Sequence, residues 1–185
     1  MKIDNAGNGQ IELHPYDPSW PRLAAEEIDR LRPVLGENLL RGEHIGSTSI
    51  PGIAAKPIID LLPIVRSLSL LNESRADLEG LGYEWRGEFG IPGRCYCIRD
   101  CRRRDERLSN VHIFEIGSRQ IARHVAFRDY LRSHAAERIE YEAVKRRAAE
   151  MCPTNVNGYN DAKSDWIKAC ERRAIAWVQL HSEGL

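Results

Sequence analysis

Between His44 and Val65 an apolar segment, a tight polar loop and a second apolar segment follow one another. The order reads as strand, loop, strand. Gly46 permits close backbone approach, and Ser47, Thr48 and Ser49 gather three hydroxyls among backbone N–H groups. Such a loop can hold phosphate oxygens with no large side chain. Lys56 then supplies a positive charge, and residues 57–65 look like a buried strand with Asp60 inside it. An ionised carboxylate is costly to bury unpaired, so Asp60 demands a cation, a metal or a hydrogen-bond network. A phosphate-gripping loop with a carboxylate on the next strand is the opening of a metal-dependent nucleotidyltransferase site.

The run His44-Ile-Gly-Ser-Thr-Ser-Ile-Pro-Gly-Ile-Ala-Ala-Lys-Pro-Ile-Ile-Asp60 resembles the GrpB family, whose fold belongs to the nucleotidyltransferase superfamily. Pro15-Tyr-Asp-Pro-Ser-Trp20, Gly90-Ile-Pro-Gly-Arg94, Ala126-Phe-Arg-Asp-Tyr-Leu-Arg132 and Tyr159-Asn-Asp-Ala-Lys163 are similar to it as well, so only the first ten residues and the last few fall outside. The resemblance implies an α+β, nucleotidyltransferase-like fold. Its small mixed sheet would have helices packed mainly on one side, and the C-terminal third would be helical. It also implies phosphates in the Gly46-Ser47-Thr48-Ser49 loop, cations from Lys56, Arg94 and Lys163, and a metal or an acceptor proton handled by Asp60 with His112. The cofactors would be ATP or another nucleoside triphosphate and a divalent metal, Mg²⁺ or Mn²⁺, with a softer ion left open by the imidazole. The partners would be the nucleotide and a small-molecule acceptor.

Two positions depart from the resemblance. Active nucleotidyltransferases usually carry a second carboxylate two residues after the first, so that two metal ions can be clamped; here Leu62 stands there. The family often has His-Leu-His on a neighbouring strand, where this chain has Asn110-Val111-His112. Alternation over residues 108–115 puts Asn110, His112 and Phe114 on one face, and Val111, Ile113 and Glu115 on the other. Val111 and Ile113 suit the helix-covered side. That leaves Asn110 and His112 on the open face, with His112 either a ligand or a structural imidazole, and Glu115 away from the site unless a bulge reverses it.

The remaining pattern fits one globular domain. The chain of 185 residues is long enough to bury a real core. Lys plus Arg and Asp plus Glu are each 27, so no net field draws the molecule to nucleic acid or membrane. No run approaches the apolar length of a membrane span, and Met1-Lys-Ile-Asp-Asn5 does not read as the apolar core of a signal peptide. Five cysteines at no scaffold spacing read as reduced thiols, hence a cytoplasmic protein. Residues 1–10 read as a flexible tail and 11–185 as the domain.

Strands are expected at 11–14, 39–45, 57–65, 83–86, 94–99 and 108–115. A helix capped by Ser19 should run to Leu35 with Trp20, Leu23, Ile28, Leu31 and Leu35 inward, and Pro33 kinking or stopping it. Further helices are expected at 68–81, from Ser118 to His134, at 135–151 and at 160–181, with 153–158 a loop. Strands early and helices late argue for α+β. Cys95, Cys97 and Cys101 lack a fourth ligand at zinc spacing and read as packing residues. Arg102, Arg103 and Arg104 read as a solvated hairpin tip, Arg128 as a structural ion pair, and Tyr159 and Asp161 as loop and cap. Two functions stay open: nucleotidyl transfer or ATP-using acyl activation onto a small acceptor, and a non-catalytic nucleotide-binding domain that has lost the two-carboxylate site.

Overall fold

Five strands pair into one mixed sheet in the computed structural model, which describes residues 10–101 and 106–182. The strands are β1 (Leu39–Ile45), β2 (Ile59–Val65), β3 (Tyr83–Trp85), β4 (Arg94–Cys101) and β5 (Glu106–Glu115), in the spatial order β1-β2-β5-β4-β3. β2 and β5 run parallel, and every other pair is antiparallel. A parallel pair cannot be joined by a tight turn. The chain from β2 to β5 accordingly passes through α2 (Leu68–Glu73), α3 (Arg75–Gly80), β3 and β4.

Alternation decides what each face meets. Leu61, Val65, Val111, Ile113, Cys95 and Cys97 point to the face covered by Trp20, Ala24, Leu31 and Leu35 of α1 (Trp20–Leu35) and by Leu71 and Leu78 of α2 and α3. Each such side chain stabilises by roughly 1.5–3 kcal/mol when fully buried. The opposite face carries Leu62, Ile64 and Phe114, which meet Ile121 of α4 (Arg119–Ser133). α5 (Ala135–Met151) and α6 (Val156–Ser182) pack beside α4 through Phe127, Leu131, Tyr141, Cys170 and Ala174, with Ile50 and Ile53 reaching in from the segment after β1. Asp60, Asn110 and His112 lie on this second face, beyond the apolar cluster. The α+β class, the mixed sheet and the helical last third are all present.

Local expectations fare unevenly. Ser118 caps α4, accepting from Gln120 N–H; of Ile121, Val125, Arg128 and Leu131 on its adjoining turns, Val125 is only partly buried and the others are buried. Ser19 makes no cap bond; Asp17 Oδ1 instead accepts from Ser19 N–H at 2.7 Å. Pro33 neither stops nor breaks α1, which ends at Gly36 with φ 50°. On α1 the inward positions are Trp20, Ala24, Glu27, Leu31 and Leu35, whereas Leu23 is exposed. Glu27 is tolerated because Tyr83 OH, Ser109 Oγ and the Arg99 guanidinium all donate to it. The expected 68–81 helix divides at Ser74 into α2 and α3. The expected strand 11–14 contributes one isolated bridge, His14 to Ala55. α6 starts at Val156, four residues before the expected start. Residues 1–9 of the expected tail and the Arg102–Arg104 tip lie outside the described residues. No helix among the described residues is long and apolar enough to cross a membrane.

Candidate functional site

A cleft of about 190 Å³ opens where the β2 and β5 ends, the loop after β1 and the first turns of α6 converge. Asp60 sits at its floor. Ser47, Thr48, Lys56, Tyr96, Arg107, Asn110, Tyr159 and Lys163 are on its walls.

The strand register explains the floor. Asp60 pairs with Ile45 on one side and with Asn110 on the other. Asn110 Nδ2 therefore reaches Asp60 Oδ1 at 2.8 Å. The Asn110 amide is oriented in turn, because its Oδ1 accepts from Tyr96 OH at 2.8 Å and from Arg107 at 3.1 Å. His112 Nε2 stands 3.9 Å from Asp60 Oδ1, while Arg94 donates to His112 Nδ1 at 3.2 Å. With Nδ1 accepting, the neutral ring carries its proton on Nε2, turned towards the carboxylate. On its other side Asp60 packs against Gly46. A Cβ at Gly46 would lie 2.2 Å from Asp60 Oδ2, and the residue has φ 70°, so both the space and the backbone call for glycine.

The polar loop is a single 3₁₀ turn, Ser47–Ser49, and its three hydroxyls divide. Ser47 Oγ faces the cleft and Tyr141 OH, 3.2 Å away. Thr48 Oγ1 donates to Ile58 C=O at 3.3 Å and accepts from His44 Nε2 at 2.9 Å. Ser49 is buried and donates to Gly46 C=O at 2.6 Å, so it closes the turn and does not line the cleft. Arg94 is not on the cleft wall either. Its guanidinium holds the Glu88 and Phe89 carbonyls, and it reaches the site through the Tyr96 ring it stacks over and through His112.

The charges are uneven. Burial raises the Asp60 carboxyl, yet His112, Asn110 and Lys56 outweigh burial and hold it below the usual carboxylate range. Burial lowers Lys56 against the pull of Asp60. Burial, then Lys56 and Lys145, bring Lys163 down to about 7, with Asp60 opposing. Both lysines lie against the Tyr159 ring, Lys163 at 4.0 Å and Lys56 at 5.3 Å. Burial also holds His44 at about 4, hence neutral, which suits its bond to Thr48.

The donors do not fit a resident two-metal clamp. Leu62, at the second carboxylate position, is wholly buried with Ile45, Ile64, Phe114 and Ile121. Among the described residues no three His, Cys, Asp or Glu side chains gather to hold a metal. The charged groups nearest Asp60 are cationic. Cys95 and Cys97 pack in the core, and Arg128 pairs with Glu43 and Asp129. Glu115 accepts from Leu68 N–H at the start of α2, far from the cleft in role.

Four cleft residues escaped the sequence reading: Arg107, Tyr96, Asn160 and the role of Tyr159. Tyr96 had a signal, since it shares the alternation face of Arg94 and lies opposite His112. Arg107 lies just before the strand expected at 108–115 and is on β5, which starts at Glu106.

The family model described as GrpB protein matches residues 10–173. UPF0157 protein YqkA of Bacillus subtilis is 39% identical over 91% of this chain, which spans 48% of that protein's length. A second UPF0157 protein, from Halalkalibacterium halodurans, is 38% identical over 91% of this chain and 85% of its own. The crystal structure of conserved protein GrpB from Enterococcus faecalis superposes with a TM-score of 0.85 at 38% identity, covering 91% of this chain and 99% of that one.

Proposed function

The chain belongs to the GrpB protein family, and on that premise we propose that its cleft binds a nucleoside triphosphate and passes part of it to a small acceptor. The observation that carries this reading is the imbalance of charge. Lys56, Lys163 and Arg107 surround one carboxylate; Arg107 is already paired with Asp100, but neither lysine has an ion-pair partner among the described residues. A concave wall with surplus cations and a hydroxyl at Ser47 complements a polyphosphate.

In this reading Lys56, Lys163 and Arg107 neutralise the phosphates and Ser47 donates to them. Asp60 orients the acceptor and takes its proton as the acceptor's oxygen or nitrogen bonds to phosphorus. The P–O bond opposite breaks, and pyrophosphate (attack at the α-phosphorus) or the nucleoside diphosphate (attack at the γ-phosphorus) leaves. Asn110 and His112 keep the carboxylate in place. Positioning and electrostatics supply most of the catalysis. A divalent ion belongs to this reading only as the counter-ion carried in on the triphosphate. The second reading, a nucleotide-binding domain without transfer, draws its support from Leu62, whose burial removes the two-carboxylate arrangement.

ATP labelled at the α- or the γ-phosphate, incubated with a pool of small hydroxyl and amine acceptors, separates the two. Transfer predicts a new labelled species, made a hundredfold or more slower by Asp60→Asn, as loss of a general base would cause. Tight nucleotide binding with no labelled product favours the second reading. Absence of both binding and transfer overturns the proposal.

A further inference from the structure

Phe89 has φ 43°, and it is the one non-glycine residue at positive φ among the described residues. L side chains avoid that region and glycine enters it freely. The same loop uses glycine for it at Gly87, Gly90 and Gly93. A glycine at 89 would relieve the backbone. The ring that stands there instead is 45% exposed, so core packing does not account for it.

The strained conformation is held from below. Arg94, buried, donates to Phe89 C=O at 2.7 Å and to Glu88 C=O at 3.2 Å. Glu88 Oε1 accepts from Gly93 N–H at 2.6 Å and ties the loop across its base. The Phe89 ring lies 5.3 Å from the Tyr96 ring at a tilt of 32°. Tyr96 lines the cleft, bonds to Asn110 and stands 5.1 Å from the His112 ring beside Asp60. Three rings thus step from solvent to the floor of the cleft. Each has a π-face, and the outermost residue is 45% exposed.

We infer that Phe89 is a stacking platform for the nucleobase of the nucleotide, one ring out from the Tyr96 wall of the cleft whose cations take the phosphates. The inference rests on the triphosphate reading above and adds the subsite that distinguishes a nucleotide from a bare polyphosphate. Stacking on an aromatic face tolerates any base. Purine and pyrimidine triphosphates should therefore differ in affinity by stacking strength alone.

Calorimetric titration with a non-hydrolysable ATP analogue and with inorganic tripolyphosphate tests it on the full chain. The unaltered protein should bind the analogue more tightly than tripolyphosphate. Phe89→Ala should weaken the analogue about tenfold or more and leave tripolyphosphate unchanged, in line with the loss of one base stack. Phe89→Gly should do the same while melting at or above the temperature of the unaltered protein, since it frees the strained backbone. Phe89→Trp should retain the analogue, with its added indole fluorescence quenched on binding. Tripolyphosphate bound as tightly as the analogue, or an analogue affinity unmoved in Phe89→Ala and Phe89→Gly, overturns the platform and leaves the phosphate reading standing. Binding of neither ligand to the unaltered protein overturns both.

Discussion

A side chain at position 46 and the carboxylate at position 60 compete for the same space. With a Cβ placed 2.2 Å from Asp60 Oδ2 and a backbone at φ 70°, Gly46→Ala has to shift either the turn or the carboxylate. The backbone alone costs about 1–2 kcal/mol for an L residue. Urea unfolding should show at least that loss, together with weaker triphosphate binding; an unchanged midpoint would mean that the turn moves aside freely. The need for a partner at Asp60 was legible, because a carboxylate inside an apolar run must be compensated. The partners themselves were only half legible. Alternation put Asn110 and His112 on the right face, but the parallel register that sets Asn110 beside Asp60 joins strands far apart in the chain. Ser49 looked equivalent to Ser47 in sequence, and only the closed 3₁₀ turn shows that its hydroxyl is spent on Gly46.

The first two turns of α6 bring Tyr159 and Lys163, one helical turn apart, against the end of the sheet, Tyr159 from the first turn. That turn is capped by Asn155, whose Oδ1 accepts from Gly158 N–H at 3.0 Å. Asn155→Ala should cost about 1 kcal/mol, the usual loss of a helix cap. It should weaken triphosphate binding more than that loss alone would suggest, because the fraying turn carries Tyr159, whose ring Lys163 lies against. A stability loss with unaltered binding would detach the cap from the site. The sequence hid this start, since glycine disfavours helix by about 1 kcal/mol and a Pro-Thr-Asn-Val-Asn-Gly run reads as loop. Gly158 has a packing reason to be glycine: a Cβ there would meet Cys152 Sγ at 2.8 Å. The strands were the easier elements, because period-two apolar alternation is direct evidence of a two-faced sheet. α1 misled at Leu23, which is exposed, and at Ala24 and Glu27, which are buried. Its 3.6-residue spacing put 27 inward with 20, 24, 31 and 35, yet a glutamate there reads as solvent-facing until Tyr83, Arg99 and Ser109 arrive from other elements.

Across the whole molecule the charges balance, 27 against 27, while the cleft is locally cationic. The groups displaced by burial give stability a defined dependence on pH. His44 and His124 stay neutral down to about 4 and about 3, whereas unfolded histidine titrates near 6.5. Between those values the unfolded chain binds more protons, so stability falls as the pH drops through that window. Lys145 and Lys163 lose their protons near 7 in the fold and near 10.4 when unfolded. The unfolded chain again binds more protons in between, so stability rises from pH 7 towards 9. Urea midpoints at pH 5, 7 and 9 should increase in that order, and Lys163→Met should flatten the upper step; a profile level across all three would contradict the burial of these groups. The central claim is that the cations of the cleft are there for phosphate. Calorimetric titration of a non-hydrolysable ATP analogue into the unaltered protein and into Lys56→Met/Lys163→Met tests it most directly. One site per chain is expected in the first and affinity lower by more than tenfold in the second, with melting unchanged or raised because two half-buried, unpaired charges are gone. No binding to the unaltered protein, or equal affinity in the double variant, would contradict it.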